Sequence, residues 1–210
     1  VAEFEHIWHG AYLKRTDSLV FDQNKLKIWD FEEHQKRDLL FGVDWGWNDP
    51  VAGIRCYEAD GQLWITHECG GVHLTNEKII EQLKTLPDMD RCISRGDCAE
   101  PGKIDMCNRN GFPRMVGCVK KFKSRGGENK LNFIETGVSH IRTYSQINVH
   151  PRCENFIREY GLYSYKVDSK TDEVLNEIED DNNHWFDALR YALEPKIKMN
   201  TSRKVRVIYG

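Results

Sequence analysis

The feature that most constrains this fold is a short apolar run that ends in a charged side chain. The run extends from Leu39 to Val43, and Asp44 follows it directly. A continuous apolar run of this length is typical of a strand buried on both faces of a sheet. A carboxylate at the end of such a strand is costly to bury unless something neutralises it. The run therefore predicts a central strand with an acidic site at its end.

The pattern on either side of this run predicts a mixed α/β domain. Two further strands are expected at Val51–Tyr57 and Leu63–His67, and the Asp60-Gly61 pair between them is a strong hairpin signal. The first three strands should therefore form an antiparallel meander, followed by parallel strands flanked by helices. Helices are expected over residues 75–86, 101–110, 132–144, 151–161 and 184–193, and further strands at 92–97, 115–119, 147–149, 163–167 and 173–175.

Three acids stand out from the solvated background. Asp44 and Asp97 each end an apolar stretch, and Asp187 lies in the first turn of an amphipathic helix. His184, Asp187 and Tyr191 recur at helical spacing on a side away from the apolar stripe, and His184 is a candidate to orient the attacking water or a metal-bound carboxylate. Two strand-end acids and one helical acid can converge on a point.

Converging carboxylates repel one another unless cations hold them. Oxygen-only ligands select hard cations, so Asp44, Asp97 and Asp187 are candidate ligands for one or two Mg²⁺ or Mn²⁺ ions. Such ions can activate water for phosphodiester cleavage. If the three acids lie close together without an ion, Asp187→Asn should raise stability. The alternative is that these acids cap helices or pair with Arg55, Arg95 or Arg190.

A basic window offers a second functional hypothesis. The chain of 210 residues has a net charge of −3, so its global charge does not indicate nucleic-acid binding. The residues around Gly126-Gly127 are nevertheless basic. Two interpretations are about equally supported: a basic loop exposed to solvent, and a mobile loop that contacts the DNA phosphate backbone. The candidate DNA-binding residues are Lys120, Lys121, Lys123 and Arg125.

The seven cysteines predict buried free thiols in a reducing compartment, because their number is odd and no C-x-x-C pair occurs. A zinc site made by His67, Cys69 and His73 is the less favoured alternative, since its spacing matches no zinc finger. No apolar run approaches the roughly 20 residues that span a bilayer, so no membrane association is expected.

Several segments resemble motifs of the nuclease domain of tailed-bacteriophage large terminase subunits, with the closest likeness to short-tailed phages of enteric bacteria. Residues 41–46 (FGVDWG) resemble the first motif, Asp97 with its flanks matches the middle acid, and residues 182–193 (NNHWFDALRYAL) resemble the last motif, which is the more specific. Residues 137–165 resemble the intervening pattern, and residues 4–10 resemble the end of the preceding ATPase domain. The resemblance covers nearly the whole chain.

The resemblance implies an RNase H-like, divalent-metal-dependent endodeoxyribonuclease that cuts concatemeric viral DNA during genome packaging. It also implies double-stranded DNA, the ATPase domain of the same protein, the small terminase subunit and the portal as partners, in the cytoplasm of the infected host. The chain has no G-x-x-x-x-G-K-[ST] motif and no initiator Met, and therefore resembles the nuclease half of a longer protein. The expected organisation is an approach segment over 1–38, the nuclease domain over 39–195 and a basic tail over 196–210.

The sequence does not decide between the nuclease function and two alternatives, and it leaves the roles of four residues undetermined. The rivals are an RNase H-like resolvase or transposase-type nuclease, and a non-catalytic module that docks on a portal or partner subunit. Asp180 and Asp181 are candidates for a fourth carboxylate, although a solvated acidic turn is favoured. Lys166 and Lys170 are candidates to contact the scissile phosphate.

Overall fold

The computed structural model describes residues 16–34, 37–120, 122–123 and 130–199. Within these ranges the strands are β1 Leu26–Ile28, β2 Leu40–Asp44, β3 Val51–Ala59, β4 Gln62–Gly71, β5 Ser94–Gly96, β6 Met115–Gly117, β7 Phe122–Lys123, β8 Lys130–Leu131, β9 Ile147–Val149, β10 Tyr165–Val167 and β11 Val174–Ile178. The helices are α1 Asn76–Leu83, α2 Pro101–Arg109, α3 Phe133–Ile141, α4 Glu154–Tyr160 and α5 His184–Ala192.

Seven strands form one mixed sheet in the order β1-β9-β4-β3-β2-β5-β6. β3 runs antiparallel to both β2 and β4, as the Asp60-Gly61 turn predicts, and the other neighbouring pairs in the sheet are parallel. The RNase H-like class, with an antiparallel meander followed by parallel strands, is confirmed. Two small antiparallel hairpins, β7-β8 and β10-β11, lie outside the sheet, and the second confirms the predicted pairing of residues 163–167 with 173–175.

Buried apolar side chains fall into two main clusters. The larger cluster joins the sheet to α3, α4 and α5, and the smaller joins it to α1 and α2. All five residues of β2 are buried, in agreement with its continuous apolar run. This strand lies in the centre of the sheet, between β3 and β5.

The folded core and sheet include residues on both sides of the 39–195 range. Val20 and Phe21 belong to the larger core cluster, and β1 pairs with β9 as an edge strand of the main sheet. At the other end, residues 194–199 are helical beyond the turn at Leu193, and Ile197 is only 1% exposed. Residues on both sides of the 39–195 range therefore contribute to the same core. Residues 1–15 and 200–210 lie outside the described residues.

The helix expected from Pro151 begins later, at Glu154, with Cys153 at its N-cap. The reason is a distant carboxylate: Glu68 of β4 accepts hydrogen bonds from the backbone N–H groups of Asn155 at 2.8 Å and Phe156 at 2.9 Å. These are first-turn donors that a helix cannot satisfy by itself. Among the described helices, none is long and apolar enough to cross a membrane.

Candidate active site

The sheet places Asp44 and Asp97 side by side. β2 and β5 are parallel and pair Val43 with Gly96, and the backbone N–H of Asp97 donates to the Val43 carbonyl at 3.0 Å. Each acid comes directly after one of these paired residues. Both carboxylates therefore project from the carboxyl ends of neighbouring parallel strands, and Asp44 is only 8% exposed.

Helix α5 crosses β2 at very short range. A Cβ atom added at Gly42 would lie 1.8 Å from the Ala188 carbonyl oxygen and 2.6 Å from the Ala192 nitrogen. Only glycine allows this approach, because any side chain would collide with helix backbone. The glycine inside the apolar run therefore sets how closely the helix lies against the strand that ends at Asp44.

One face of α5 points toward the two strand-end acids. His184 Nδ1 lies 3.4 Å from Asp44 Oδ2, and the Tyr191 hydroxyl donates to Asp97 Oδ2 at 3.3 Å. Asp187 lies between them in the sequence, three residues after His184 and four before Tyr191, which is the spacing of one helix face. The structure thus brings together Asp44, Asp97, His184 and Tyr191.

The Asp187 carboxylate is engaged locally rather than with the other two acids. It forms an ion pair with Arg190, whose side chain is only 2% exposed. Among the described residues, Asp44, Asp97 and Asp187 do not form a trio whose carboxylate oxygens all lie within 4.8 Å of one another. The pairing of an acid with Arg190, which the sequence left open, is therefore present for Asp187.

The other two arginines considered as partners bind different acids. Arg95 Nε lies 3.1 Å from Glu194 Oε2, and Arg55 pairs with Glu33 at 2.6 Å. Neither therefore neutralises Asp44 or Asp97.

Each of the three acids has a protein cation or imidazole beside it. Lys120 Nζ lies 2.7 Å from Asp97 Oδ1, so Asp97 holds Lys120 while Asp44 holds His184 and Asp187 holds Arg190. The hydrogen bond to Asp44 raises the pKa of His184. Burial, followed by the negative charge of Asp44 and Asp97, raises the pKa of Tyr191, so that its phenol stays protonated and can donate.

A buried carboxylate from a neighbouring helix holds the start of α5. Glu159 of α4 is 1% exposed, and it accepts hydrogen bonds from the backbone N–H groups of His184 at 3.1 Å, Trp185 at 2.8 Å and Phe186 at 3.3 Å. Burial raises the pKa of Glu159 to about 7. Sequence reasoning missed this residue, since nothing near residue 184 indicates a cap supplied from 25 residues away.

The basic window is only partly described. Lys120 lies at the acidic site, with its ammonium group also 5.3 Å from the centre of the Tyr191 ring. Lys123 lies in β7, but its side chain is outside the described residues, as are Lys121 and Arg125. Of the four candidate DNA-binding residues, Lys120 is therefore the one whose side chain is described, and it forms an ion pair with Asp97.

The four residues left open by the sequence make local contacts. Asp180 accepts a hydrogen bond from the Asn183 side chain at 3.0 Å, and Asp181 accepts one from the Asn182 backbone at 2.8 Å. Lys166 pairs with Glu177 across the β10-β11 hairpin. The backbone N–H of Lys170 donates to Asp168 in a tight turn. These contacts match the solvated acidic turn expected for Asp180 and Asp181.

The donor set at the strand ends suits a hard divalent cation. Asp44 and Asp97 offer carboxylate oxygens, which Mg²⁺ and Mn²⁺ prefer to nitrogen or sulfur ligands. The site already accommodates positive charge, since the Lys120 ammonium lies within hydrogen-bonding distance of Asp97. The alternative zinc ligands do not form a comparable group: His67 interacts with Arg55 and Arg152, and Cys69 is buried in the smaller core cluster.

Comparison with solved structures identifies relatives of this fold. The nuclease domain of the SPP1 large terminase, solved with bound Mn, matches with a TM-score of 0.67 at 22% identity, over 82% of this chain and 97% of that chain. The P22 large terminase nuclease domain matches with a TM-score of 0.65 at 16% identity, over 87% and 96%. The nuclease of phage G20c, solved with bound magnesium, gives 0.54 at 14%, over 83% and 96%. At these identities the likeness shows the fold alone.

Comparison of sequences identifies the family. The large terminase subunit of Bacillus phage SPP1 is 26% identical over 177 residues, which cover 81% of this chain and 39% of that protein. The chain therefore spans well under half the length of this relative. A family model described as the terminase RNase H-like domain matches residues 52–195. Because that match covers more than half of the chain, this chain belongs to the terminase RNase H-like domain family.

Proposed function

We propose that this chain is a divalent-metal-dependent DNA endonuclease that cuts concatemeric viral DNA during genome packaging. The observation that carries the proposal is the pairing of Asp44 and Asp97 at the ends of neighbouring parallel strands, faced by the side of α5 that bears His184 and Tyr191. Family membership favours this reading over a resolvase or transposase-type nuclease. The Mn- and Mg-bound relatives support the choice of cation.

Each residue of the site has a distinct proposed role. Asp44 and Asp97 would hold one or two Mg²⁺ or Mn²⁺ ions, with Asp187 as the third proposed ligand. A bound ion lowers the pKa of a coordinated water and neutralises charge on the phosphate. His184 orients Asp44 and can hold a proton beside it, while Tyr191 fixes the position of the Asp97 carboxylate by donating to it. Lys120 balances negative charge on Asp97.

The partners and setting follow from the family. We propose that the substrate is double-stranded DNA and that an ATPase domain belongs to the same full-length protein, since the chain matches 39% of a longer large terminase subunit. The small terminase subunit and the portal complete the proposed assembly, in the cytoplasm of the infected host. Membership closest to the short-tailed phages of enteric bacteria stays a proposal as well, since relatives include terminases of both SPP1 and P22.

The basic window is proposed to contact the DNA backbone. Lys120, Lys121, Lys123 and Arg125 would then add affinity that depends on salt and not on base sequence. Replacing Lys121, Lys123 and Arg125 with Ala, while keeping Lys120 at Asp97, separates DNA binding from the acidic site. If the DNA affinity of the variant depends less steeply on salt concentration than that of the wild type, the contact is supported. An unchanged salt dependence would contradict the contact.

The proposed activity is tested by incubating the chain with supercoiled plasmid in Mn²⁺ or in chelator. We expect nicked and linear products in Mn²⁺ alone, and none from Asp44→Asn or Asp97→Asn, which keep the side-chain shape but lose the charge. Linear duplex should be cut at least as well as a four-way junction, whereas a resolvase would prefer the junction. Cleavage that survives in either variant would contradict the assignment, and a folded chain without any cleavage would favour the docking module.

A further inference from the structure

Two cysteine thiols lie beside Asp97 on the side away from Asp44. β5 pairs with β6 in parallel, and the backbone N–H of Cys118 donates to the Gly96 carbonyl at 2.8 Å. Cys98 follows Gly96 by two residues, so both thiols lie just beyond the carboxyl ends of adjacent strands. The donor atoms of Asp97, Cys98 and Cys118 all lie within 4.8 Å of one another, a closeness that no other trio of potential ligands reaches among the described residues.

A glycine lets these two strand ends come together. A Cβ atom added at Gly117 would lie 3.2 Å from the Cys98 Cβ and 3.3 Å from an Ile104 methyl group. A larger residue would push Cys98 away from Cys118. The backbone N–H of Cys98 also hydrogen-bonds to the Cys118 sulfur, a contact that orients the sulfur. Cys118 is 2% exposed, whereas Cys98 is exposed.

From this arrangement we propose a second metal site, in which Cys98, Cys118 and Asp97 bind a thiophilic divalent cation such as Zn²⁺. Tetrahedral Zn²⁺ takes sulfur at about 2.3 Å and oxygen at about 2.0–2.2 Å, which needs donors roughly 3.5–4 Å apart. The donor atoms of the trio lie within 4.8 Å of one another, so a contraction of about 1 Å at most brings them to that spacing. The fourth position is left to a water molecule on the exposed side of Cys98.

The charges of the proposed site balance with groups already present. On binding, two thiols release their protons to solvent and become thiolates, which with the Asp97 carboxylate give three negative charges. The cation supplies two positive charges, and the Lys120 ammonium, 2.7 Å from Asp97, supplies the third. A thiolate-bearing site discriminates against Mg²⁺, which prefers oxygen ligands.

Sharing Asp97 makes the two cations competitors. Asp97 serves the hard-metal site with Asp44 and the thiolate site with Cys98 and Cys118, and it cannot be optimally placed for both. Zn²⁺ at the thiolates should therefore inhibit Mn²⁺-dependent cleavage. The inhibition rests on the proposed nuclease function, but binding of the thiophilic ion does not.

The binding is tested with Co²⁺ as the probe, added to the metal-free chain with its cysteines kept reduced. Thiolate-bound Co²⁺ gives a charge-transfer absorption band that carboxylate-bound Co²⁺ lacks, and Zn²⁺ should abolish it by displacement. We expect one equivalent to bind to the wild type and to Cys92→Ser, the matched control, whose thiol lies outside the trio. Cys98→Ser should weaken binding at least about 100-fold, because loss of a group that only orients a metal ligand already costs about 10–100-fold. Cys118→Ala should do the same.

Full Co²⁺ absorption in Cys98→Ser, or its loss in Cys92→Ser, would overturn the site. So would absence of a thiolate band in the wild type. In the cleavage assay, low Zn²⁺ should inhibit the wild type and spare Cys98→Ser. If the wild type never cleaves DNA, the nuclease proposal fails while the spectroscopic result still decides the thiophilic site.

Discussion

Helices α1 and α5 begin in different ways. The Thr75 hydroxyl caps α1 by accepting a hydrogen bond from Lys78 N, three residues along the same chain segment. The residue before α5, Asn183, makes no such side-chain bond, and the first-turn N–H groups are satisfied by Glu159 of α4. A helix with a local cap can form its first turn from its own sequence, whereas α5 depends on another helix already in place.

The same dependence extends one step further back in the structure. Glu68 of β4 caps α4, and α4 supplies the Glu159 that caps α5. The helix that carries His184 and Asp187 is therefore positioned through two carboxylates, the partly buried Glu68 of the sheet and the buried Glu159 of α4. Packing of Ala188 on Gly42 fixes its distance from β2. The candidate catalytic helix is therefore held by tertiary contacts, whereas the first turn of α1 is held by a local one.

The largest effect is expected at Asp187. Its ion pair with Arg190 involves a guanidinium that is only 2% exposed, so Asp187→Asn leaves an uncompensated buried charge. The expected effect on stability is therefore the opposite of the one predicted from the sequence, where repulsion among Asp44, Asp97 and Asp187 made Asp187→Asn stabilising. We expect the variant in chelator to lose about 3 kcal/mol of unfolding free energy, at the lower end for a broken buried pair because Asn keeps an acceptor. It should also lose Mn²⁺-dependent cleavage.

Thermal melts in chelator and in Mn²⁺ check this prediction. The wild type should melt higher with Mn²⁺, since an ion that binds only the folded state stabilises it, and Asp187→Asn should respond less. A variant that melts lower but keeps the full response and full cleavage would make Asp187 purely structural.

The next effect concerns the remote cap itself. Glu159→Ala leaves three N–H groups of α5 without their acceptor, and buried unsatisfied donors cost about 1–3 kcal/mol. Cleavage should fall further than the loss of folded protein explains, because His184 shifts relative to Asp44. Glu159→Gln, which keeps one acceptor oxygen, should recover part of the rate. Equal cleavage rates per folded molecule for Glu159→Ala and the wild type would show that α5 does not need this cap.

The pH dependence of stability isolates the same carboxylate. Its pKa is raised from an ordinary 4.5 to about 7 in the folded chain, so the folded state holds the proton over a range in which the unfolded state has lost it. Stability from this group is therefore fully present below pH 4.5 and is lost as pH rises to 7. The loss amounts to about 3 kcal/mol, at about 1.4 kcal/mol per pH unit. Denaturant melts of Glu159→Gln should show a correspondingly shallower decline over this range, and parallel curves would refute it.

The smallest effect belongs to the local cap. Thr75→Ala should cost about 1 kcal/mol of unfolding free energy, and Thr75→Ser should cost less because the hydroxyl is kept. Neither variant should change cleavage per folded molecule, since α1 packs in the smaller core cluster, to which no residue of α5 belongs. A loss of cleavage comparable with that of Glu159→Ala would erase the distinction between the two helices.

The difference between the helices also explains what could be read from the sequence. The central strand, the Asp60-Gly61 hairpin and the Thr75 cap depend on neighbouring residues and were predictable. The pairing of Asp44 with Asp97 follows from placing both at the ends of parallel strands. Glu159 depends on how α4 packs against α5, so local patterns do not reveal it.

Strand β1 and the thiol pair escaped prediction for the same physical reason. β1 has only three residues, two of them exposed, and it joins the sheet by pairing with β9. Cys98 and Cys118 are 20 residues apart in sequence and meet through the parallel pairing of β5 with β6. Each feature is a contact between distant segments.

The central claim is that Asp44 and Asp97 form one hard-metal site. The most direct measurement is an anomalous difference map from crystals of this chain soaked in Mn²⁺. We expect a manganese peak between the two strand ends, at about 2.0–2.2 Å from a carboxylate oxygen of Asp44 and of Asp97. A well-ordered site without that peak, or manganese bound only at other residues, would contradict it.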